Sequence, residues 1–145
     1  MTAAWVHFAC HGVQTRSNAE ASLILANHAR LTLSDIIKLS IPQAQLAFLA
    51  ACQTSKEDFL CCGESAHLAG GMLVAGFRGV VSTMWNINDY YAPDFADRFY
   101  QKMFEGGVVP DYKRAAYALH DAVKTLRREK HLDFGIWVPF VHYGA

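Results

Sequence analysis

The sequence predicts an α/β fold in which a mainly parallel sheet carries helices on both faces. Apolar runs of strand length alternate along the chain with longer stretches in which apolar residues recur at helical spacing. The apolar runs lack the polar/apolar alternation of a half-exposed sheet, which is typical of strands buried on both faces. Strands that alternate with helices require crossover connections, so we expect the strands to run parallel.

Length and composition favour one globular domain over residues 1–145. The chain is 52% hydrophobic and 18% charged, which is enough for one core and too little for two. Lys+Arg and Asp+Glu number 13 each, so the net charge supports neither a nucleic-acid nor a membrane partner. The sequence has no apolar stretch of about 18 residues and no signal-peptide pattern, which predicts a cytoplasmic protein whose four cysteines are free thiols.

Four strands are predicted from apolar runs rich in β-branched and aromatic residues. They cover residues 4–10, 44–52, 79–85 and 136–144. The polar residues 11–21, followed by the short run 22–26, predict a loop with at most a small strand, because Ser17 and Asn18 are turn formers. Pro139 places the last strand at a sheet edge, since proline cannot donate to a ladder.

Four helices are predicted between these strands. They cover residues 31–42, 65–77, about 93–104 and 111–130. Thr32 or Ser34 is the expected N-cap of the first, Pro42 its stop, and Asp111 the start of the last. The third is amphipathic and is closed by a Gly-Gly pair at residues 106–107. Close packing on the sheet is the expected reason for three glycines in the second helix: Gly70, Gly71 and Gly76.

Two of the predicted strands end on chemically reactive residues. "HFACHG" ends on His11 and Gly12, and "LAFLAACQT" brings the second strand to Cys52. Neighbouring parallel strands end at the same edge, about 4.8 Å apart, so these side chains are within reach of one another. An imidazole beside a thiol lowers the thiol pKa and creates a nucleophile. From the residues alone, a cysteine buried for packing and a hydrogen-bonded loop histidine remain the alternative.

The other reactive side chains favour structural roles. His7 is expected to be a hydrogen-bonded core histidine and Cys10 a core thiol. "HFACH" has no second ligand cluster at zinc spacing, so no metal site is expected. The sequence also lacks a serine-hydrolase elbow and a P-loop. In the loop after the second strand, Glu57, Asp58 and Glu64 are expected to be solvated, with substrate binding as the alternative. Cys61 and Cys62 are either incidental or loop thiols open to oxidation.

Four segments together resemble the CHAT domain, a caspase-like domain related to separase and often found behind tetratricopeptide repeats. They are "HFACHG", "LAFLAACQT", "HLAGGMLVAGFRGVVSTMW" and "WVPFVHYG", and the resemblance extends from Trp5 to Gly144. It implies a caspase-like three-layer sandwich and a cysteine endopeptidase that acts on a polypeptide without metal or cofactor. His11 would be the catalytic histidine, Cys52 the nucleophile, and the amides of Gly12 and Cys52 the oxyanion hole.

The segment "MWNIND" carries a further resemblance, to the part of separase that recognises a basic residue before the scissile bond. Asp89 holds the position of the recognising aspartate, which implies a preference for Arg or Lys. The alternative is a solvated loop aspartate or a helix N-cap before Pro93.

The sequence departs from the caspase-like pattern at its start. A full domain of that kind places further strands and a helix before the histidine strand, which here begins within five residues of Met1. We therefore expect a sheet without its first strands, an exposed edge and self-association through it, and a repeat-containing or sensor partner. Two functions stay open: a His/Cys endopeptidase, or a catalytically silent interaction module with the same fold.

Overall fold

A computed structural model describes residues 4–15, 19–50, 52–53, 64–85, 87, 90–107 and 110–144. The strands within these ranges are β1 Trp5–Phe8, β2 His11–Thr15, β3 Ala19–Ile24, β4 Arg30–Thr32, β5 Leu46–Leu49, β6 Cys52–Gln53, β7 Gly79–Thr83 and β8 Phe140–Gly144. The α-helices are α1 Leu33–Lys38, α2 Glu64–Ala75, α3 Ala92–Met103, α4 Ala115–Lys130 and α5 Phe134–Trp137. The predicted α/β class is confirmed.

The main sheet has the strand order β1-β5-β7-β8. β1, β5 and β7 run parallel, as predicted, whereas β8 pairs antiparallel with β7. β8 is an edge strand of this sheet, which confirms the edge position expected from the buried Pro139 just before it. At the other edge, β1 pairs only with β5 among the described strands.

Helices cover both faces of the main sheet, because successive side chains of a strand point to opposite faces. Leu46 and Phe48 of β5 pack in one core with α3 and α4. Ala47 and Leu49 pack in a second core with α2 and with Ile36 of α1. β5 is buried along its whole length, which explains its uninterrupted apolar sequence.

The core under α3 and α4 is built on aromatic rings. Phe48 and Phe99 lie 5.1 Å apart between ring centroids, and Phe95 lies 4.0 Å from Phe140. Phe95, Phe99 and Met103 form the buried stripe of α3, as its amphipathic pattern predicts. Aromatic pairs at this separation add about 0.5–1.5 kcal/mol each to the stability that burial provides.

The glycines of α2 do not all serve close packing on the sheet. A Cβ at Gly71 would collide with Leu33 of α1, whereas a Cβ at Gly70 would meet no atom within 4 Å. Gly76 lies beyond the helix, which ends at Ala75, and has a φ of +115° with Ile41 O only 2.6 Å from its would-be Cβ. The predicted helix end at residue 77 was therefore wrong by two residues, because the chain turns sharply at Gly76.

A second sheet, which the sequence did not predict, has the order β4-β3-β2-β6. The segment 11–26, interpreted as a loop with at most a small strand, instead supplies two strands, β2 and β3, which pair antiparallel. The pairing buries Ala21 and Leu23, and β4 extends the sheet from β3. The sequence has turn formers at residues 17–18, but the strands on either side of them were too short and polar to be predicted.

The helix signals at the starts of α1 and α4 are mostly confirmed. Thr32 caps α1 in a reciprocal capping box with Asp35, but the helix ends at Lys38 rather than at residue 42. Asp111 accepts a 3.0 Å hydrogen bond from the Lys113 N–H and opens a short 3-10 turn before α4. Among the described helices, none combines the length and apolar character that a membrane span requires.

Candidate active site where two strands cross between sheets

The two chain segments that form β1 and β5 continue directly into the second sheet as β2 and β6. Trp5 pairs with Leu46 in the main sheet and His11 pairs with Cys52 in the second, so the offset between partners is 41 residues in both. Between the two sheets, the Ala50 N–H donates a 2.9 Å hydrogen bond to the Phe8 carbonyl. One register thus extends from the core to His11 and Cys52, which lie opposite each other on neighbouring parallel strands.

The pairing in the main sheet fixes the pairing in the second sheet. β1 and β5 share four paired positions and the Ala50–Phe8 hydrogen bond, so His11 and Cys52 could change partners only if this whole pairing slipped. His11 is exposed, as is His7 on β1, the strand that its chain segment continues. The sequence placed both residues just past the carboxyl ends of their strands; the structure places them at the first positions of β2 and β6.

Gly12 lies inside the second sheet. It is buried and pairs with Leu23 of β3 on one side and with Gln53 of β6 on the other. A glycine at this position brings the backbone close to whatever lies over it, because no Cβ intervenes. The roles of the Gly12 and Cys52 amides in an oxyanion hole stay predictions.

His7 lies on β1, four residues before His11, and its environment keeps it neutral. Its Nδ1 is 3.2 Å from the Tyr100 hydroxyl, and its ring lies 4.8 Å from that of Phe48. Both rings are only partly buried, and this partial burial lowers the pKa of His7 and raises that of Tyr100 to about 12. The predicted hydrogen bond is confirmed, but the side chain is exposed rather than in the core, because β1 is an edge strand.

Cys10 is a free, half-buried thiol in the joint between β1 and β2. It packs against the core under α1 and α2, as expected, although it is not fully buried. Burial raises the pKa of this thiol from 9.0, so it stays protonated near neutral pH and is a poor nucleophile. Cys10 therefore provides an internal reference for the reactivity of Cys52.

A cavity of about 440 Å³ opens beside His11, between the ends of β1 and β5 and the first turn of α3. Its lining residues are His7, Ala9, Cys10, His11, Ala50, Ala92, Pro93 and Ala96. The contribution of α3 was not predicted from the sequence. The signal that could have shown it is the set of small residues, Ala92 and Ala96, that alternates with the aromatic stripe near the start of that helix.

A second cavity, of about 670 Å³, has a cationic wall. Lys124, Arg127 and Arg128 of α4 line it, and the Arg127 guanidinium lies 4.7 Å from the ring centroid of Trp137. The Lys and Arg residues at the end of α4 also interact favourably with the C-terminal end of the helix dipole. This cavity shares no lining residue with the one beside His11.

Several predicted residues lie outside the described ranges. They are Glu57, Asp58, Cys61, Cys62 and Asp89. Glu64 is the first residue of α2, at the end of the predicted acidic loop. Within the described part of the chain, no group of three or more His, Cys, Asp or Glu residues is placed to hold a metal ion.

A family model described as the CHAT domain matches residues 2–145, which is nearly the whole chain. The comparison of this chain with curated proteins found no match.

Proposed function

The chain belongs to the CHAT domain family, which is related to the caspase-like cysteine peptidases, and on this basis we propose that it is a cysteine endopeptidase. Cys52 is the nucleophile and His11 the general base. The observation that carries this proposal is the register of β2 and β6, which pairs these two residues directly. Strand neighbours are about 4.8 Å apart, a separation that a histidine and a cysteine side chain can bridge.

The proposed reaction proceeds through an acyl-enzyme. The Sγ proton of Cys52 passes to His11, and the thiolate attacks the carbonyl carbon of the scissile peptide to form a C–S bond. His11 returns the proton to the amide nitrogen as the C–N bond breaks, leaving a thioester. His11 then deprotonates a water, whose oxygen attacks the thioester carbonyl; the C–S bond breaks, the acid product leaves and the thiolate regains the proton.

Two further parts of the proposal concern the transition state and the substrate. The backbone amides of Gly12 and Cys52 hold the oxyanion, because N–H groups fixed by a sheet need no reorganisation when charge develops. Asp89 is the candidate for recognition of Arg or Lys. It lies outside the described residues, so this preference rests on the sequence alone.

The open edge of the main sheet favours a second candidate function. β1 pairs only with β5 within the described chain, and an unpaired strand edge is a template for strand addition by another polypeptide. The alternative is therefore a catalytically silent module that keeps His11 and Cys52 by descent and binds a partner along β1.

Alkylation by iodoacetamide separates the two functions. Labelling is followed site by site by mass spectrometry from about pH 5 to about pH 9, the range in which cysteine thiolates form. An endopeptidase should label Cys52 at least about tenfold faster than Cys10 near pH 6, because His11 stabilises the thiolate. His11→Ala should abolish that advantage, whereas His120→Ala, which removes an exposed histidine of α4, should retain it.

Equal labelling of Cys52 and Cys10 in the wild-type chain would overturn the endopeptidase proposal and favour the silent module. A fast Cys52 that survives His11→Ala would show that another group activates the thiol.

A further inference from the structure

The cavity beside His11 lies where a substrate of the proposed endopeptidase would pass. We name it the α3 cavity after the helix that provides its outer wall. His11 belongs to its lining, and so does Ala50, two residues before Cys52 on the same chain segment. The cavity thus borders both chain segments that carry the candidate dyad.

The described lining of the α3 cavity carries no Asp, Glu, Lys or Arg. Its polar members are His7, which is hydrogen-bonded to Tyr100 and has a lowered pKa, Cys10, whose thiol pKa is raised, and His11. A cationic side chain entering this space would lose its hydration and find no carboxylate among the described lining residues. An anionic side chain would find only His11, which the proposed reaction uses.

The charged residues of α3 near the cavity are engaged on its outer side. Asp94 forms an ion pair with Lys130 of α4. Asp97 accepts a 2.8 Å hydrogen bond from Gln101, one turn further along the helix. Arg98 pairs with Glu129 at 2.8 Å. These partners hold the charges of the first turns of α3 toward α4 and the solvent.

The side chains that form the walls of the cavity are mostly small. Ala9, Ala50, Ala92 and Ala96 each contribute a single methyl group where a longer side chain would fill the space. The volume of about 440 Å³ falls in the range of sites that bind small organic groups, which are typically lined by apolar atoms.

We propose that the α3 cavity is a specificity pocket that receives an uncharged apolar side chain, of the size of leucine or methionine, from the substrate residue whose carbonyl is attacked. That residue carries its Cβ two bonds from the reacting carbon, so its side chain is the one nearest the dyad. The inference rests on the proposed endopeptidase function and names its substrate class. It predicts the opposite preference to the one implied by Asp89.

Peptidyl chloromethyl ketones test the pocket, because the thiolate displaces chloride and forms a stable C–S bond. The probes are acetyl-Ala-Ala-X-chloromethyl ketones in which X is leucine, methionine, lysine or glutamate, and the alkylation rate of Cys52 is measured on the full chain. The leucine and methionine probes should react at least about tenfold faster than the lysine and glutamate probes, since a single methylene group in an apolar pocket already discriminates by roughly 10–200-fold.

Two substitutions test whether the preference for apolar probes arises in the α3 cavity. Ala96→Leu narrows the cavity and should reduce the advantage of the leucine probe to about threefold or less. Ala116→Leu makes the same change on the exposed side of α4 and should leave the advantage intact. If Ala96→Leu fails to fold, Ala92→Leu at the first position of α3 makes the equivalent test.

Iodoacetamide, which carries no peptide, keeps the two proposals distinguishable. If Cys52 is no faster than Cys10 with iodoacetamide, the endopeptidase itself fails. If Cys52 is fast but prefers the lysine probe, the pocket proposal is overturned and Asp89 is favoured. An apolar preference that Ala96→Leu and Ala92→Leu both leave unchanged would also overturn it.

Discussion

The main sheet and the second sheet contain consecutive parts of the same two chain segments, yet their exposure differs. β5 and β7 are buried at every position, with helices over both faces. In the second sheet, buried positions such as Leu23 coexist with the exposed His11. The pairing of β1 with β5 sets the register, and the pairing of β2 with β6 continues it. The exposed His11 is therefore positioned by a register that is anchored in the main sheet.

The largest expected effect lies in the main sheet. Phe48→Ala removes a ring that is 1% exposed and packs against Phe99 and His7, so it should lower the free energy of unfolding by about 3–5 kcal/mol. Urea unfolding followed by circular dichroism measures the change. Tyr117→Ala, at a ring that is 79% exposed, is the control and should stay within about 0.5 kcal/mol. Equal effects of the two substitutions would contradict the described core.

A substitution in the second sheet tests whether the two sheets unfold together. Leu23 is fully buried in the same core as Ala47 and Val80 of the main sheet. Leu23→Ala should therefore cost about 2–5 kcal/mol in a single transition. Tryptophan fluorescence and circular dichroism should report coincident curves. A separate early transition would show that the second sheet is an independent unit, and the comparison above would then fail.

Substitutions in the connection that leads into β7 should change the free energy of unfolding by less than those in the two sheets. Gly76→Ala places a Cβ against the Ile41 carbonyl and forces a side chain onto a φ of +115°, which should cost about 1–3 kcal/mol. Gly70→Ala, inside α2 with open space around its Cβ, should instead stabilise by about 0.5–1 kcal/mol through helix propensity. Thermal unfolding of the matched pair should shift in opposite directions; a shift in the same direction would refute the assigned turn.

The smallest effect is a pH dependence at the edge of the main sheet. Burial lowers the pKa of His142 below 6.5, and its buried Nε2 has no hydrogen-bond partner among the described residues. Below pH 6.5 the unfolded chain therefore binds more protons than the folded chain, so stability falls as the pH falls through 6.5 toward the folded-state pKa. Partial burial also lowers the pKa of His7, which contributes to the pH dependence in the same direction.

The urea midpoint should thus decrease between about pH 7.5 and about pH 5. His142→Leu should reduce that decrease, whereas His67→Leu, at an exposed position of α2, should not. A pH slope that is the same in all three chains would exclude His142 as its source.

The sequence predicted the buried elements better than the exposed ones, for a physical reason. β5 and α3 could be predicted because their apolar patterns report burial directly. β2 and β3 could not, because short strands with polar residues are stabilised by pairing partners that are distant in sequence. The positions of His11 and Cys52 followed from strand ends, but the wall that α3 adds beside them depends on how that helix packs.

The constant offset between the paired strands has a consequence for insertions and deletions. The joint from β1 to β2 and the joint from β5 to β6 each contain two residues, 9–10 and 50–51. An insertion in one joint alone would place His11 and Cys52 at different pairing positions. By contrast, extra residues in the segment between Val13 and Gln45 would change the residue numbers and leave these two residues paired. Divergent relatives should therefore vary in length within that segment while both joints remain equally short.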